Sequence, residues 1–79
     1  MNWTQEKNTL TKNFGFKDFV SAIDFVNKIA KEAEALNHHP DILIHGYKNV
    51  KITLSTHDQD KVTKKDFELA KRIDKLITI

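Results

Sequence analysis

The chain has 79 residues, of which 39% are hydrophobic and 30% charged, and its net charge of +2 is spread in both signs along the sequence. This length accommodates one small domain, residues 1–79, and the weak, mixed charge argues against direct binding of nucleic acid. The absence of cysteine excludes a disulfide framework, thiol catalysis and a cysteine-containing zinc site. With no long apolar run and no secretory signal at Met1, we expect a cytoplasmic protein without membrane association.

The first half of the chain predicts a β-hairpin followed by a helix. Turn chemistry at Lys7-Asn8 and loose alternation around it indicate two short strands between Trp3 and Phe16. From Lys17 to about Leu36, apolar residues recur at steps of three and four, which is typical of an amphipathic helix. The stripe expected to face the core is Phe16, Phe19, Val20, Ile23, Val26, Ala30 and Ala33.

The apolar arc of this helix is wider than one packed face requires. Phe25, Ile29 and Leu36 lie to one side of the expected stripe. Two interpretations are equally favoured, which are contact with the second helix and a subunit interface. Because a small domain is often marginal alone, we expect self-association as a homodimer or homotetramer. If the oligomer forms, Phe25→Asp should dissociate it more readily than Lys28→Asp, because burying an unpaired carboxylate is costly.

The second half of the chain predicts another hairpin and a closing helix. Residues 42–47 lead through a turn at Lys48-Asn49 into a segment whose apolar positions alternate cleanly, namely Val50, Ile52 and Leu54. After a polar loop, Thr63-x-x-Asp66 resembles an N-terminal capping box. Phe67, Ala70, Ile73 and Ile77 then mark a helix. The order ββαββα predicts an α+β fold, with a four-stranded antiparallel sheet and two helices packed on one face.

Three histidines are the candidates for chemistry. His38 and His39 precede Pro40, which favours an extended backbone and ends the helix, and His57 lies at the end of the last predicted strand. Histidine is the side chain whose unperturbed pKa lies near neutral pH, so the group suggests proton transfer or metal binding. A zinc site is the less favoured interpretation, because adjacent histidines in extended backbone tend to point apart. His45, in mid-strand, is expected to be structural or exposed.

Glu34 is the carboxylate nearest to these histidines. A helical wheel places it close to the direction of Phe16, Val20 and Ile23, which are expected to face the core. We therefore expect an inward-facing acid that orients a histidine or holds a substrate, and a hydrogen bond that ties off the loop is the structural alternative. By strand parity His57 points to the face opposite Glu34. The two can share a pocket only if the strand has ended or twisted by Thr56, or if the site lies at the edge of the sheet, and we expect the edge.

The spaced pattern Glu34-x-x-x-His38-His39-Pro40, Tyr47, His57 and Asp66 resembles the signature of pterin-4a-carbinolamine dehydratases. The segments at 16–19 and 50–57 are similar to the family as well, and the likeness covers nearly the whole chain from Trp3. This resemblance implies the ββαββα fold and the dehydration of 4a-hydroxytetrahydropterin to quinonoid dihydropterin, which regenerates a tetrahydrobiopterin-type cofactor. It implies no metal and no bound cofactor, and the partner is a pterin substrate.

The resemblance also implies roles for individual residues. His38, His39 and His57 are then the catalytic set, and Glu34 positions a histidine or contacts the pterin ring. Further residues line the pterin site, namely Asn37, Pro40, Ser55, Thr56 and Asp58. Many relatives carry an acid at the position of Asn37. We expect His38→Ala or His57→Ala to lower kcat by about 10²–10⁴-fold with little change in stability, because neither belongs to the apolar periodicity.

Two other functions stay open from the sequence. A binding or scaffold protein on the same fold, acting as a dimerisation or assembly partner, is the first alternative. Retention of all three histidines and Glu34 favours the enzyme over this role. A small zinc-binding hydrolase is the weakest interpretation.

Overall fold

The structure is a computed structural model that describes residues 2–56 and 61–77. In chain order its elements are β1 (Thr4–Gln5), β2 (Leu10–Gly15), α1 (Phe19–Leu36), β3 (Asp41–His45), β4 (Asn49–Leu54) and α2 (Lys64–Ile77). The strands form one antiparallel sheet in the order β1-β2-β4-β3. Both helices pack on the same face of this sheet and share its core. The predicted α+β fold and element order are confirmed.

The alternation in β4 builds the centre of the core. Val50, Ile52 and Leu54 are fully buried, whereas Lys51 between them is exposed. β2 pairs with this strand so that Phe14 lies opposite Val50 and Leu10 opposite Leu54. Residues directly opposite in an antiparallel pair share a face, so one apolar surface runs across both interior strands. The helices cover that surface with buried residues, namely Ala22, Phe25, Ile29, Ala33, Leu69, Ala70 and Ile73.

The face of α1 that meets the core agrees only in part with the predicted stripe, since Ala33 is buried and Val26 packs against the core as expected. Phe25 is only 4% exposed and Ile29 is fully buried, so these residues belong to the core and not to a subunit interface. Phe19 and Val20, which were expected inside, are 51% and 67% exposed. The apolar arc is wide enough to offer two faces, and periodicity alone does not choose between them. The structure chooses the face that brings Phe25 against Phe14 and Phe16, with ring centroids 4.9 and 5.0 Å apart.

Asp18 caps the N-terminus of α1, one residue after the predicted start of the helix at Lys17. Asp18 has extended backbone, and its carboxylate accepts a hydrogen bond from the Ser21 backbone N–H at 2.8 Å. This is the geometry of an N-cap, which satisfies one of the unpaired donors of the first turn. The hydrogen bonds from Ser21 hold the pKa of Asp18 below its ordinary value.

A polar contact fastens the N-terminal hairpin to α2. The indole N–H of Trp3 donates to the carboxylate of Asp74 at 3.1 Å, and the ammonium of Lys12 lies 2.8 Å from the same carboxylate. Lys12 also lies over the ring of Phe14, 4.9 Å from its centroid. The short strand β1 is therefore held by side chains as well as by its pairing with β2.

The two helices run antiparallel across the sheet. Arg72 of α2 reaches Glu32 near the end of α1, with an N···O distance of 3.2 Å. Asp66 in the first turn of α2 contacts both His38, which follows α1, and Thr56, which follows β4, so these three element ends meet at one end of the molecule. His38 and His39 follow directly after α1 at this end.

Candidate active site

The end of α1 sets the position of both adjacent histidines. Asn37 has a left-handed backbone, with φ 51° and ψ 44°. Its N–H donates to the carbonyl of Glu34 at 3.1 Å, and the N–H of His38 donates to the carbonyl of Ala33 at 3.0 Å. These two bonds form a Schellman motif, which satisfies the last helix carbonyls and turns the chain sharply. Both histidines therefore directly follow a helix end whose backbone is fixed by hydrogen bonds.

His38 is paired with a buried carboxylate. Its Nε2 lies 2.5 Å from Oδ1 of Asp66, which is in the first turn of α2. The side chain of Asp66 is fully buried and that of His38 is 11% exposed. Taking a carboxylate out of water is costly unless it is paired and hydrogen-bonded. Separating the two side chains would cost free energy, because the buried carboxylate would lose a hydrogen bond, so the pair keeps one geometry.

Asp66 has further donors besides His38. The backbone N–H of Thr63 and the hydroxyl of Thr56 each donate to Oδ2 at 2.9 Å. The contact with Thr63 is one half of the predicted capping box, in which the acid reaches back to the cap residue. Thr56 is brought here by an isolated β-bridge with Lys61, which extends the path of β4 beyond Leu54. One carboxylate therefore joins the end of the sheet, the start of α2 and His38.

His39 is paired with Glu34 in a more exposed setting. Its Nε2 lies 2.5 Å from Oε2 of Glu34, and the two side chains are 59% and 75% exposed. The expectation that Glu34 faces inward is wrong. Its wheel direction matches that of Val20, which is itself exposed, so both side chains point to solvent. Glu34 nevertheless contacts a histidine, as one of its proposed roles requires.

The remaining predicted site residues differ in how far the structure places them. Thr56 joins the site through Asp66, Pro40 and Ser55 are half-buried near it in sequence, and Asn37 is exposed at the helix end. His57 and Asp58 lie outside the described residues. Thr56 lies just beyond the end of the interior strand β4, whereas His39 and Pro40 lead directly into β3, which is an edge strand. The expected position of the site at the sheet edge depends on His57 and stays a prediction.

Two residues singled out in the sequence lie away from the histidine pair. His45 is exposed at the far end of β3. Tyr47, part of the family pattern, follows in the turn after β3, with φ 55° and 61% exposure. The strand of five residues separates this turn from His39-Pro40, a distance of roughly 16 Å at the usual rise per residue. Within one chain, Tyr47 and His38 are not brought together.

The contact of Asp66 with His38 is the feature of the candidate site that the sequence did not predict. Asp66 was recognised as a helix cap and as part of the family pattern, but not as the partner of His38. The two residues are 28 positions apart, so no local periodicity connects them. The pairing argues against the expectation that loss of His38 changes stability little, since that loss removes a hydrogen bond from a buried carboxylate.

The chemistry available at this end of the molecule is proton transfer. His38 and His39 point to carboxylates on different elements, and each uses Nε2 for that contact. In residues 2–56 and 61–77, no three histidine, aspartate or glutamate side chains converge to hold a metal ion. No helix in that part of the chain is long and apolar enough to cross a membrane. A surface cavity of about 280 Å³ lies at the other end of the helix layer, lined in part by Phe16, Lys28 and Leu76.

A four-stranded antiparallel sheet under two helices, with two imidazoles held by carboxylates, defines a small α+β protein whose site suits acid–base chemistry. The family model described as pterin 4 alpha carbinolamine dehydratase matches residues 1–76. The chain belongs to this family, as the resemblance predicted.

Relatives and solved structures agree with this assignment. A protein of Picosynechococcus sp., provisionally named a pterin-4-alpha-carbinolamine dehydratase, is 49% identical over 94% of this chain and 79% of its own length. One of Sulfolobus acidocaldarius with the same provisional name is 47% identical, over 94% of this chain and 80% of its own. A crystal structure from Brucella melitensis, described as a transcriptional coactivator/pterin dehydratase, superposes with a TM-score of 0.86 at 34% identity, covering 94% of this chain and 80% of that one.

A second solved structure shows the same fold at greater sequence distance. It is described as a pterin dehydratase-like protein that is a RuBisCO assembly factor in the alpha-carboxysome. The TM-score is 0.76 at 24% identity, covering 98% of this chain and 88% of that one. At this identity the likeness concerns the fold alone.

Proposed function

We propose that this protein dehydrates a 4a-hydroxytetrahydropterin to the quinonoid dihydropterin by histidine acid–base catalysis. In this reaction the bond from C4a to its hydroxyl oxygen breaks, and the oxygen leaves as water after receiving a proton. The proton on N5 is lost to a base, and the N5–C4a double bond forms. Imidazoles suit both proton transfers, because their ordinary pKa values lie near neutral pH.

The observation that carries this proposal is the pairing of each adjacent histidine with its own carboxylate. His38 is bound to the fully buried Asp66, and His39 is bound to Glu34. A carboxylate that holds one ring nitrogen orients the imidazole and stabilises its protonated form. Two oriented imidazoles on adjacent residues provide the proton donor and the proton acceptor that the dehydration requires. Family membership supplies the substrate class.

The test is an assay of the purified protein for loss of the 4a-hydroxypterin absorbance. His38→Ala and His57→Ala should each lower kcat by about 10²–10⁴-fold, which is the usual contribution of a general acid or base. His45→Ala is the matched control, because His45 is exposed at the far end of β3. The slow uncatalysed dehydration sets a floor that must be subtracted. Near-wild-type turnover in both folded variants would contradict the acid–base assignment.

The wider setting of the reaction is proposed on the same basis. We propose a single catalytic domain over residues 1–79 that needs no cofactor, acts in the cytoplasm and serves the recycling of a tetrahydrobiopterin-type cofactor. The shared core of the sheet and both helices supports the single domain. Self-association as a homodimer or homotetramer remains a prediction. Light scattering at tens of micromolar, an order-of-magnitude choice suited to weak assemblies, should show more than a monomer.

A second candidate role is that of a binding partner, and one surface feature favours it. Phe19 and Val20 expose apolar side chains next to each other on α1. The relative from Brucella melitensis, at 34% identity, is described as a transcriptional coactivator as well as a pterin dehydratase. If Phe19 and Val20 form a docking surface, Val20→Asp should abolish association with the protein partner while leaving dehydratase turnover in place. Loss of turnover with unchanged association would count against this second role.

A further inference from the structure

The two oxygens of the Asp66 carboxylate are divided between two sets of partners. Oδ1 lies 2.5 Å from Nε2 of His38, whereas Oδ2 receives the hydroxyl of Thr56 and the backbone N–H of Thr63 at 2.9 Å each. With both sets in place, rotation of the carboxylate would break three hydrogen bonds at once. The orientation of Oδ1 toward the imidazole is therefore fixed by contacts made on the other oxygen.

The direction of the hydrogen bonds among the two threonines follows from this arrangement. Oγ1 of Thr56 and Oγ1 of Thr63 are 2.6 Å apart. A hydroxyl has a single proton to donate, and that of Thr56 goes to Asp66. The hydroxyl of Thr63 is therefore the donor to Thr56. The two hydroxyls form a chain of donors that ends on the carboxylate, and such chains polarise one another and strengthen the last bond.

The same contacts bear on which ring nitrogen of His38 carries a proton. With Asp66 as a carboxylate, which can only accept hydrogen bonds, the proton of the short contact is on Nε2. Nδ1 has no hydrogen-bond partner among the described residues. In that part of the chain every buried side-chain nitrogen or oxygen does have one, so Nδ1 contributes to the small exposed surface of His38. The unoccupied nitrogen is thus the one that solvent can reach.

We propose that Asp66, held by the Thr56–Thr63 hydroxyl chain, is a positioning residue that fixes His38 as the Nε2–H tautomer and leaves Nδ1 to exchange a proton with the substrate. The tautomer is a property of the free protein, whereas the exchange with substrate rests on the proposed function. Neither threonine needs to touch the pterin for this role. Thr56 is thereby assigned to holding Asp66, in place of the substrate contact that the family resemblance implied.

The tautomer can be observed without any activity measurement. Long-range ¹H–¹⁵N correlation of the histidine rings, at a pH where they are neutral, should show the protonated-nitrogen shift at Nε2 of His38 and the unprotonated shift at Nδ1. Thr63→Val should weaken this preference, and Thr63→Ser should restore it because the hydroxyl returns. Thr11→Val, a half-buried threonine of β2, is the control. A neutral His38 protonated at Nδ1 in the wild type would overturn the proposal.

Kinetics provide the second test. Asp66→Asn should lower kcat by about 10²–10⁴-fold with a much smaller change in KM, because the wrong tautomer then occupies the site. Thr63→Val should lower kcat by about ten-fold and change the pH profile, as expected for a residue that acts through another. If Asp66→Asn does not fold, the Thr63→Val and Thr63→Ser pair decides the question. An unchanged kcat and pH profile in Thr63→Val would remove the hydroxyl chain from the mechanism.

The outcomes separate this inference from the proposed function. A wild-type protein with the Nε2–H tautomer but no dehydratase activity would contradict the proposed reaction and support the role of Asp66 as an anchor for His38. An active protein with His38 protonated at Nδ1 would retain the proposed reaction and overturn the positioning role.

Discussion

His38→Ala should destabilise the fold far more than His39→Ala, although the two histidines are neighbours in sequence. Removing the His38 ring deletes one of three hydrogen bonds to a fully buried carboxylate. A hydrogen bond to a charged group contributes about 1.5–3 kcal/mol, and loss of a buried partner costs more than loss of an exposed one. The two threonine contacts remain, so we expect a loss of about 2–4 kcal/mol.

The expected loss is large for a domain of this size. A chain of 79 residues has a free energy of unfolding of roughly 4–12 kcal/mol at typical values per residue. At about 4–8 °C per kcal/mol for small domains, His38→Ala should lower Tm by roughly 8–32 °C. His39 and Glu34 are 59% and 75% exposed, and exposed ion pairs contribute about 0–1 kcal/mol. His39→Ala should therefore lower Tm by only a few degrees.

Thermal melts followed by circular dichroism at neutral pH are the assay, with both variants in the same buffer. Urea titration gives the free energies directly and shows whether unfolding remains two-state. If His38→Ala and His39→Ala have the same Tm within about 3 °C, less than 1 kcal/mol separates them. The reasoning from the buried carboxylate would then be wrong, because Asp66 would be equally stable without its imidazole partner.

Three further predictions follow from the fold and the site. Phe25→Asp should prevent folding, because the side chain is 4% exposed and a buried unpaired carboxylate costs several kcal/mol. Phe19→Asp, at a position that is 51% exposed, should fold. Circular dichroism distinguishes the two variants, and a folded Phe25→Asp would contradict the core assignment. The lowered pKa of Asp18 means that its contribution to stability is complete above the unfolded pKa and is lost as the pH falls through the lower folded value. Asp18→Ala should therefore reduce Tm at neutral pH and by progressively less below about pH 4, and a deficit that grows on acidification would refute the cap. Treatment with a chelator should leave dehydratase turnover intact, and stoichiometric zinc whose removal abolishes activity would contradict a metal-free mechanism.

The sequence predicted correctly those elements whose apolar periodicity is compatible with only one buried face. In β4 the alternation has a single solution, and Val50, Ile52 and Leu54 are all fully buried. In α1 the apolar arc offers two solutions, and the choice depends on which face fits the aromatic side chains of the sheet. The same ambiguity led to the wrong prediction that Glu34 faces the core. Its relation to Val20 on the wheel was correct, but both residues face solvent.

The candidate site was predictable only in part for a different physical reason. The adjacent histidines and Glu34 lie within six residues, so local pattern and family resemblance both find them. The partner of His38 comes from α2, 28 residues later, and its selection depends on how two helices and the end of β4 converge. A contact of this kind is a property of tertiary packing and leaves no period in the sequence.

The left-handed backbone at Asn37 restricts which amino acids that position accepts before any reaction is considered. Glycine, asparagine and aspartate adopt this conformation at little cost, whereas β-branched residues do not. An exchange between asparagine and aspartate therefore adds or removes a negative charge one residue from His38 without moving the helix end. A protein of this family with aspartate at this position would differ from this one in the electric field around the two imidazoles, while the backbone that presents them would be unchanged.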